Sequence, residues 1–247
     1  MSVNLFDYGG FPTKKQRRKI SENSPHLNDL KLEIDYNNLN DIFKFFSLHE
    51  FKSWIRQFNN RIGEVKLSYI MSIYYYNMGI PDNEWSIPPG KNNNSTRFFP
   101  NLEQKHFCIK YFFDYYSDIF YYKTFGVWDS ILHLINIFYE INIQEYNKGF
   151  KKNIMKELKK HDKELYNYLN ELRKDEVYKK ANKIRNDLTH NFPPNDVGPG
   201  VKRYENGYTA FAAGNYTTSK EFKENMDGII KLLANTVTKL EIHFKKN

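Results

Sequence analysis

Apolar residues recur at three- and four-residue steps through most of this chain, a period that predicts helices and very little strand. The rhythm starts near Leu39, where Ile42, Phe43, Phe46 and Leu48 are spaced to line one face. It resumes through Phe51, Trp54, Ile55 and Phe58, then from Ile62 through Val65, Leu67 and Ile70 to Tyr76, so two helices are expected before Gly79-Ile80-Pro81. Pro81–Pro100, with Pro88-Pro89-Gly90 and Asn92-Asn93-Asn94, reads as a loop and as the boundary between two parts of the chain. Beyond it, Leu102–Lys123 forms an aromatic-rich helix and Phe125–Ile141 another, apolar nearly all round and hence central in a bundle. Shorter helices are expected over Phe150–Leu158 and Glu164–Leu172. A clearer one runs over Asp175–His190 and must stop before Pro193-Pro194. Within the Gly- and Pro-rich stretch that follows, Glu205-Asn206-Gly207 is a turn suited to a short hairpin in Val201–Ala213. Ser219, followed by Glu221 and Phe222, opens a last helix bearing Met226, Ile229, Ile230, Leu233, Val237 and Leu240. Residues 1–35 lack such a period and read as a loosely structured lead with a basic run, Lys14–Lys19. The pattern predicts an all-α architecture with an N-terminal helical extension over residues 1–99. A helical bundle over residues 100–247 follows, with a short hairpin-containing loop before the last helix.

Composition narrows the picture. Hydrophobic residues make up 40% of 247, enough for a sizeable core and against global disorder. Lys and Arg outnumber Asp and Glu by 37 to 29, a balance that favours a polyanionic partner such as RNA, although a solvated surface gives the same charge. Cys108 is the only cysteine, which excludes an intrachain disulfide and a thiolate zinc cluster and fits a reducing, cytoplasmic setting. The N-terminus lacks a signal peptide's order of basic, apolar and small residues, and no apolar run approaches the ~20 residues of a membrane span, so no membrane partner is expected. His106, His161 and His243 have no neighbours at metal-ligand spacing. Gly198, Gly200, Gly207 and Gly214 are not followed by the Lys-Ser/Thr of a phosphate loop. Neither a metal nor a cofactor is therefore expected. The aromatics at Tyr74-Tyr75-Tyr76 and Tyr115–Tyr122 sit at helical spacing and read as packing.

Candidate chemistry gathers in Ala181–Pro194. Asn186 and His190, four apart, share a helix face, and Arg185 is offset but long enough to swing toward the same point. A permanent cation, an amide and a group that titrates near neutrality thus meet at one helix end. Cleavage of RNA by its own 2′-hydroxyl needs that set: a group that moves protons, and a fixed positive charge for the extra negative charge on phosphorus. Imidazole suits the first task and the planar guanidinium fork the second. A structural alternative stays open on these residues alone, because a histidine in a last helical turn also caps carbonyls and favours the dipole.

Arg185-Asn186 followed by His190, at a helix end and before a proline-broken loop, resembles the Arg–X4–6–His signature of the HEPN superfamily. Phe112–Phe138, with Lys123, Phe125, Asp129 and Asn136, resembles the first paired helices of HEPN proteins from phage-defence loci. Asp129, His133 and Asn136 fall on one stripe of an otherwise apolar helix, and polar groups so placed need polar partners. The resemblance covers roughly residues 100–247. It implies a helical bundle that forms a homodimer with a composite active site, and a metal-independent endoribonuclease that acts as a toxin or antiviral effector. By carry-over, Arg185 would polarise the scissile phosphate, His190 would act as acid and base, and Asn186 would orient one of them. Asp129, Asn136 and His133 would support these from behind. An antitoxin or other regulatory protein is an implied partner. HEPN toxins that are silenced by modification carry Tyr two positions after the His; Phe192 stands there, which argues against that route. The runner-up is a non-catalytic HEPN module binding RNA, a nucleotide or a partner protein, with Arg185 and His190 as anion ligands.

Overall fold

A computed structural model describes residues 7–35, 45–90, 95–211 and 214–245. The expected onset of periodicity at Leu39, with Ile42 and Phe43, and the Asn92–Asn94 run lie outside the described residues. Seven α-helices are described: α1 (Lys14–Glu22), α2 (Phe45–Tyr76), α3 (Gln104–Phe138), α4 (Phe150–His161), α5 (Lys163–Leu172), α6 (Glu176–His190) and α7 (Ser219–His243). Two short antiparallel pairs accompany them, β1 (Ser86–Ile87) with β2 (Arg97–Phe98) and β3 (Val201–Arg203) with β4 (Thr209–Phe211). The second is the expected hairpin, with Lys202 opposite Ala210 across the turn.

The described part of α2 is one helix, and α3 is one 35-residue helix rather than the expected pair. In α3 the expected break fell at Thr124-Phe125-Gly126. No proline stands there, and a helical glycine costs only ~1 kcal/mol relative to alanine. Burial of Phe120, Tyr121, Phe125 and Trp128 on both sides of Gly126 outweighs that cost. Phe125–Phe138 is apolar on nearly every face and lies in the interior, as its pattern predicted.

α2 and α3 form an antiparallel hairpin. Phe51 meets Phe138 (ring centroids 5.5 Å), Tyr69 meets Phe120 (6.0 Å) and Tyr75 meets Phe112 (5.0 Å). Midway, the Arg61 guanidinium donates to the Gly126 carbonyl at 3.0 Å and to the Ser130 hydroxyl. α7 lies along the hairpin, with Phe222 against Tyr121 at one end and Phe244 against Phe138 at the other. The described part of the lead, residues 7–35, is folded, contrary to expectation. A capping box between Thr13 and Gln16 starts α1, Ile20, Leu27, Leu30 and Leu32 are buried, and the Asn59 amide clamps the Leu32 N–H and carbonyl at 2.9 Å each. These positions lack a regular period because an irregular segment packs wherever the surface beneath allows.

α6 is the element that carries the motif, and three contacts seat it. Asp175 caps its start by accepting from the Val177 N–H at 2.8 Å. Asn225 of α7 donates to the Val177 carbonyl at 3.1 Å. Opposite, Gly228 lets the helices approach so closely that a Cβ there would sit 2.8 Å from Val177 Cγ1. The loop after α6 is tied down by the Thr217 N–H, which donates to the Pro194 carbonyl at 2.7 Å.

Candidate active site at the end of helix α6

The last two turns of α6 hold Arg185, Asn186 and His190. Positions five apart differ by about 140° around an α-helix and about 7.5 Å along it, whereas positions four apart differ by only about 40°. Asn186 and His190 accordingly share a face, and Arg185 leaves the helix on another. His190 is exposed in the final turn, and among the described residues it has no hydrogen-bond or ion-pair partner. Asn186 is half-buried and likewise makes no hydrogen bond among the described residues.

Arg185 turns toward α3. Its guanidinium carbon lies 4.8 Å from the centroid of the Phe125 ring, and Nη2 donates to Asn182 Oδ1 at 3.0 Å. Nε is buried without a partner among the described residues. Behind Phe125, Trp128 and Tyr178 complete an aromatic floor, with Tyr178 4.6 Å from Trp128. Such a floor fixes the plane of the guanidinium while leaving most of its donors unused.

Arg185 lines an open concavity of about 910 Å³ between α3, α4, α5 and α6. Lys151, Lys152, Lys156, Lys159 and Arg173 line it too, with Asp129 the only carboxylate. Asp129 accepts from Lys151 at 2.6 Å, and Lys152 and Lys156 form no salt bridge among the described residues. Six cations against one carboxylate make this a strongly positive surface that can hold consecutive phosphates. These lysines are not among the candidate residues that the sequence alone points to. Their signal is the helical spacing of Lys152, Lys156 and Lys159, away from the buried Ile154 and Leu158.

The structure brings Asp129 into the same concavity as Arg185 but places His133 and Asn136 in another, lined by Trp54, Glu140 and Glu145. There His133 stacks on Trp54 at 4.1 Å and lies 3.3 Å from Glu145. Burial lowers the His133 pKa in spite of that carboxylate. Asn136 donates to the Ile143 carbonyl at 2.9 Å and accepts from the Ile143 N–H at 3.0 Å, closing the loop after α3. His190 lines neither concavity.

α3 also presents side chains to the end of α6. The Tyr122 hydroxyl accepts from Thr189 Oγ1 at 3.0 Å, one residue before His190. One turn back on the same face stands Asp118, and one turn further Asp114. The Lys110 ammonium donates to Asp114 at 2.6 Å and to the Asn195 carbonyl at 2.7 Å. Burial raises the Asp114 carboxyl above its ordinary range despite the pull of Lys110. Burial, and next the Asp114 charge, push Asp118 up to about 7, and its Oδ1 is buried with no donor among the described residues. Neither carboxyl was singled out from the sequence. Not all the aromatics of α3 pack, either: Phe107, Tyr111, Tyr115 and Tyr122 are exposed while Phe113, Phe120 and Tyr121 are buried.

An all-α bundle whose penultimate helix ends in Arg-Asn-x3-His has the architecture of a HEPN domain. The model of the family described as HEPN_Cthe2314-like HEPN matches residues 54–241, most of the chain, and this chain belongs to that family. The match begins inside α2 and reaches the last turn of α7. No curated protein and no solved structure matches it. No helix among the described residues is long and apolar enough to cross a membrane.

Proposed function

We propose that this HEPN protein is an endoribonuclease that cleaves RNA by attack of the 2′-hydroxyl on the adjacent phosphorus, without a metal. The observation that carries this reading is an unpartnered, exposed His190 on the helix that also sends Arg185 into a six-cation concavity. In the reaction the 2′-oxygen bonds to phosphorus, the P–O5′ bond breaks, and the proton lost by the 2′-hydroxyl is balanced by one delivered to the 5′-oxygen. His190 supplies proton transfer, and Arg185 holds the phosphoryl oxygens as charge builds on them. Asn186 shares the His190 face and orients the ring or the phosphate. Asp129, through Lys151, sets the edge of the phosphate track.

One imidazole cannot accept and donate a proton in the same step, and Arg185 and His190 diverge on one helix. Both facts favour a homodimer in which two α6 ends share one cleft, with one His190 acting as base and the other as acid. A nuclease of this kind, in the cytoplasm, would serve as a toxin or an antiviral effector restrained by an antitoxin or another regulatory protein.

Purified protein is expected to cleave RNA in EDTA, and His190→Ala and Arg185→Ala each to reduce the rate by ~10²–10³, the usual cost of removing one transition-state stabiliser. Cleavage undiminished in both variants would remove these residues from the mechanism. The divergence of Arg185 from His190 favours a second reading, a HEPN module that binds RNA without cutting it. Tight, salt-sensitive binding with no turnover at any protein concentration would select it.

A further inference from the structure

Between α3 and the loop that follows α6 lies a cavity of about 420 Å³, lined by Phe107, Lys110, Tyr111, Asp114, Asp118 and Asn195 among others. It belongs to neither the Arg185 concavity nor the His133 concavity. Pro193, three residues beyond His190, forms part of its wall, so the cavity opens beside the end of α6. Nothing in the proposed cleavage chemistry uses it.

Its parts have a definite chemistry. Phe107 and Tyr111, one turn apart on α3, are about half exposed (50% and 53%) and offer ring faces on which a planar heterocycle can stack. The interior holds two carboxyls with different fates. Asp114 is matched by Lys110, which also ties down the loop through Asn195. Asp118 has no such match: its Oδ1 is buried and receives no hydrogen bond among the described residues. Asp118 lines the cavity, so a turn of its side chain offers the unmatched oxygen to a donor there, and ionised carboxylates take two neighbouring N–H groups best. Among the four common RNA bases only guanine places two N–H groups side by side, at N1 and the exocyclic N2.

We infer that this cavity is a guanine subsite of the same RNA site, in which the base stacks on Tyr111 and Phe107 and Asp118, turning its buried oxygen toward the cavity, receives the N1–H and N2–H. The inference rests on the nuclease reading for its partner, RNA, but not for its chemistry. A guanine seated there puts its own phosphate toward the end of α6, so cleavage would show a preference for guanine next to the cut. Lys110 and Asp114 on α3 and Asp196 in the following loop are the charged groups lining the cavity with Asp118. With Asp118 ionised, three carboxyls face one ammonium, so the cavity suits the N–H edge of a base and not its phosphate, which must lie outside it.

Calorimetric titration of the full chain with GMP, IMP, AMP, CMP and UMP at pH 8 tests this. All five carry the same phosphate, and none has a phosphodiester to cut, so the differences report the base alone. GMP is expected to bind at least ~10-fold more tightly than AMP, CMP or UMP, with IMP, which lacks the N2 group, in between. Asp118→Asn keeps the shape but replaces one acceptor with a donor, and is expected to erase the GMP preference. Tyr111→Ala is expected to weaken all five alike. Equal affinities for the five in the wild type, or a GMP preference that survives Asp118→Asn, would overturn the subsite. RNA cleavage with no preference for guanine in a protein that binds the five alike would sink the subsite and leave the nuclease standing. A GMP preference without any cleavage would do the reverse.

Discussion

His190 in α6 and His243 in α7 both occupy the last turn of a helix. They have opposite surroundings. His243 is 1% exposed, its Nδ1 lies 2.5 Å from Asp162 Oδ2, and Asp162 in turn accepts from the Tyr139 hydroxyl at 2.8 Å and the Leu165 N–H at 2.8 Å. That cluster locks the end of α7 to the junction of α4 and α5. His190 is exposed and free of partners among the described residues, on a helix whose neighbouring cations line an open surface. A buried imidazole matched to a carboxylate acts as a structural tie, whereas an exposed, unmatched one is available to exchange protons. Position in a helix does not separate these cases; what packs around the ring does.

The carboxyls near the two helix ends differ in the same way. Burial opposes ionisation of Asp162, but donation from the Leu165 N–H, Tyr139 and His243 outweighs it and holds the pKa below its ordinary value. Asp118 lacks such donors on Oδ1 and is pushed up to about 7.

The sharpest way to break the comparison is to exchange the expected roles by mutation. His243→Ala is expected to cost about 3 kcal/mol of stability, since it empties the place of a fully buried ring and leaves the half-buried Asp162 short of a partner, while the folded protein cleaves RNA at the wild-type rate. Chemical denaturation and single-turnover cleavage measure the two effects. His190→Ala is expected to leave stability within ~0.5 kcal/mol. A large loss of stability there would make His190 a second structural tie.

Asp118→Asn has the next largest effect, and its sign depends on pH. The folded wild type keeps a proton on Asp118 that the unfolded chain releases, so wild-type stability falls as pH rises from about 4 to about 7. The variant escapes that loss. It is expected to be more stable than the wild type by roughly 2 kcal/mol at pH 8, with the gap closing toward pH 4. A gap that does not change with pH would mean that Asp118 titrates normally. Asp162 works the other way: its contribution is present above the ordinary carboxylate range and is lost as pH falls through its lowered pKa.

Gly228→Ala is expected to have the smallest effect among the substitutions that change stability. A Cβ 2.8 Å from Val177 Cγ1 forces α6 outward, a strain of ~1–3 kcal/mol, and the better helix propensity of alanine returns ~1 kcal/mol. A net loss of about 1 kcal/mol, seen as a fall of about 2–4 °C in Tm, is the expected result. An unchanged or raised Tm would show that α6 is not held by that approach.

Much of the bundle was legible because it is amphipathic. α4 through α7 and the β3–β4 turn follow from period, caps and prolines that act locally. The long reach of α2 and α3 was not legible, because polar residues between apolar stripes look alike whether a helix breaks or simply turns its wet face outward. Thr124-Phe125-Gly126 shows this, as only packing on both sides decides for continuity. The packed lead around Leu27–Leu32 was invisible for the opposite reason, since it has no period to read. At the site, Arg185, Asn186 and His190 stood out through their resemblance to the HEPN signature, since their spacing alone also fits a helix cap. The polar stripe of α3 that drew notice was Asp129, His133 and Asn136, whereas the stripe facing the end of α6 is Lys110, Asp114 and Asp118. Both have helical spacing, and which residues of each meet α6, Asp129 alone in the first stripe, is a fact of tertiary packing.

The nature of the RNA ends tests the proposal that an Arg185–His190 site drives cleavage by the substrate's own 2′-hydroxyl. RNA treated with the purified protein in EDTA is predicted to carry 2′,3′-cyclic phosphate on one fragment and a 5′-hydroxyl on the other, and neither should form with His190→Ala. Fragments ending in 3′-hydroxyl and 5′-phosphate, formed only without the chelator, would contradict it.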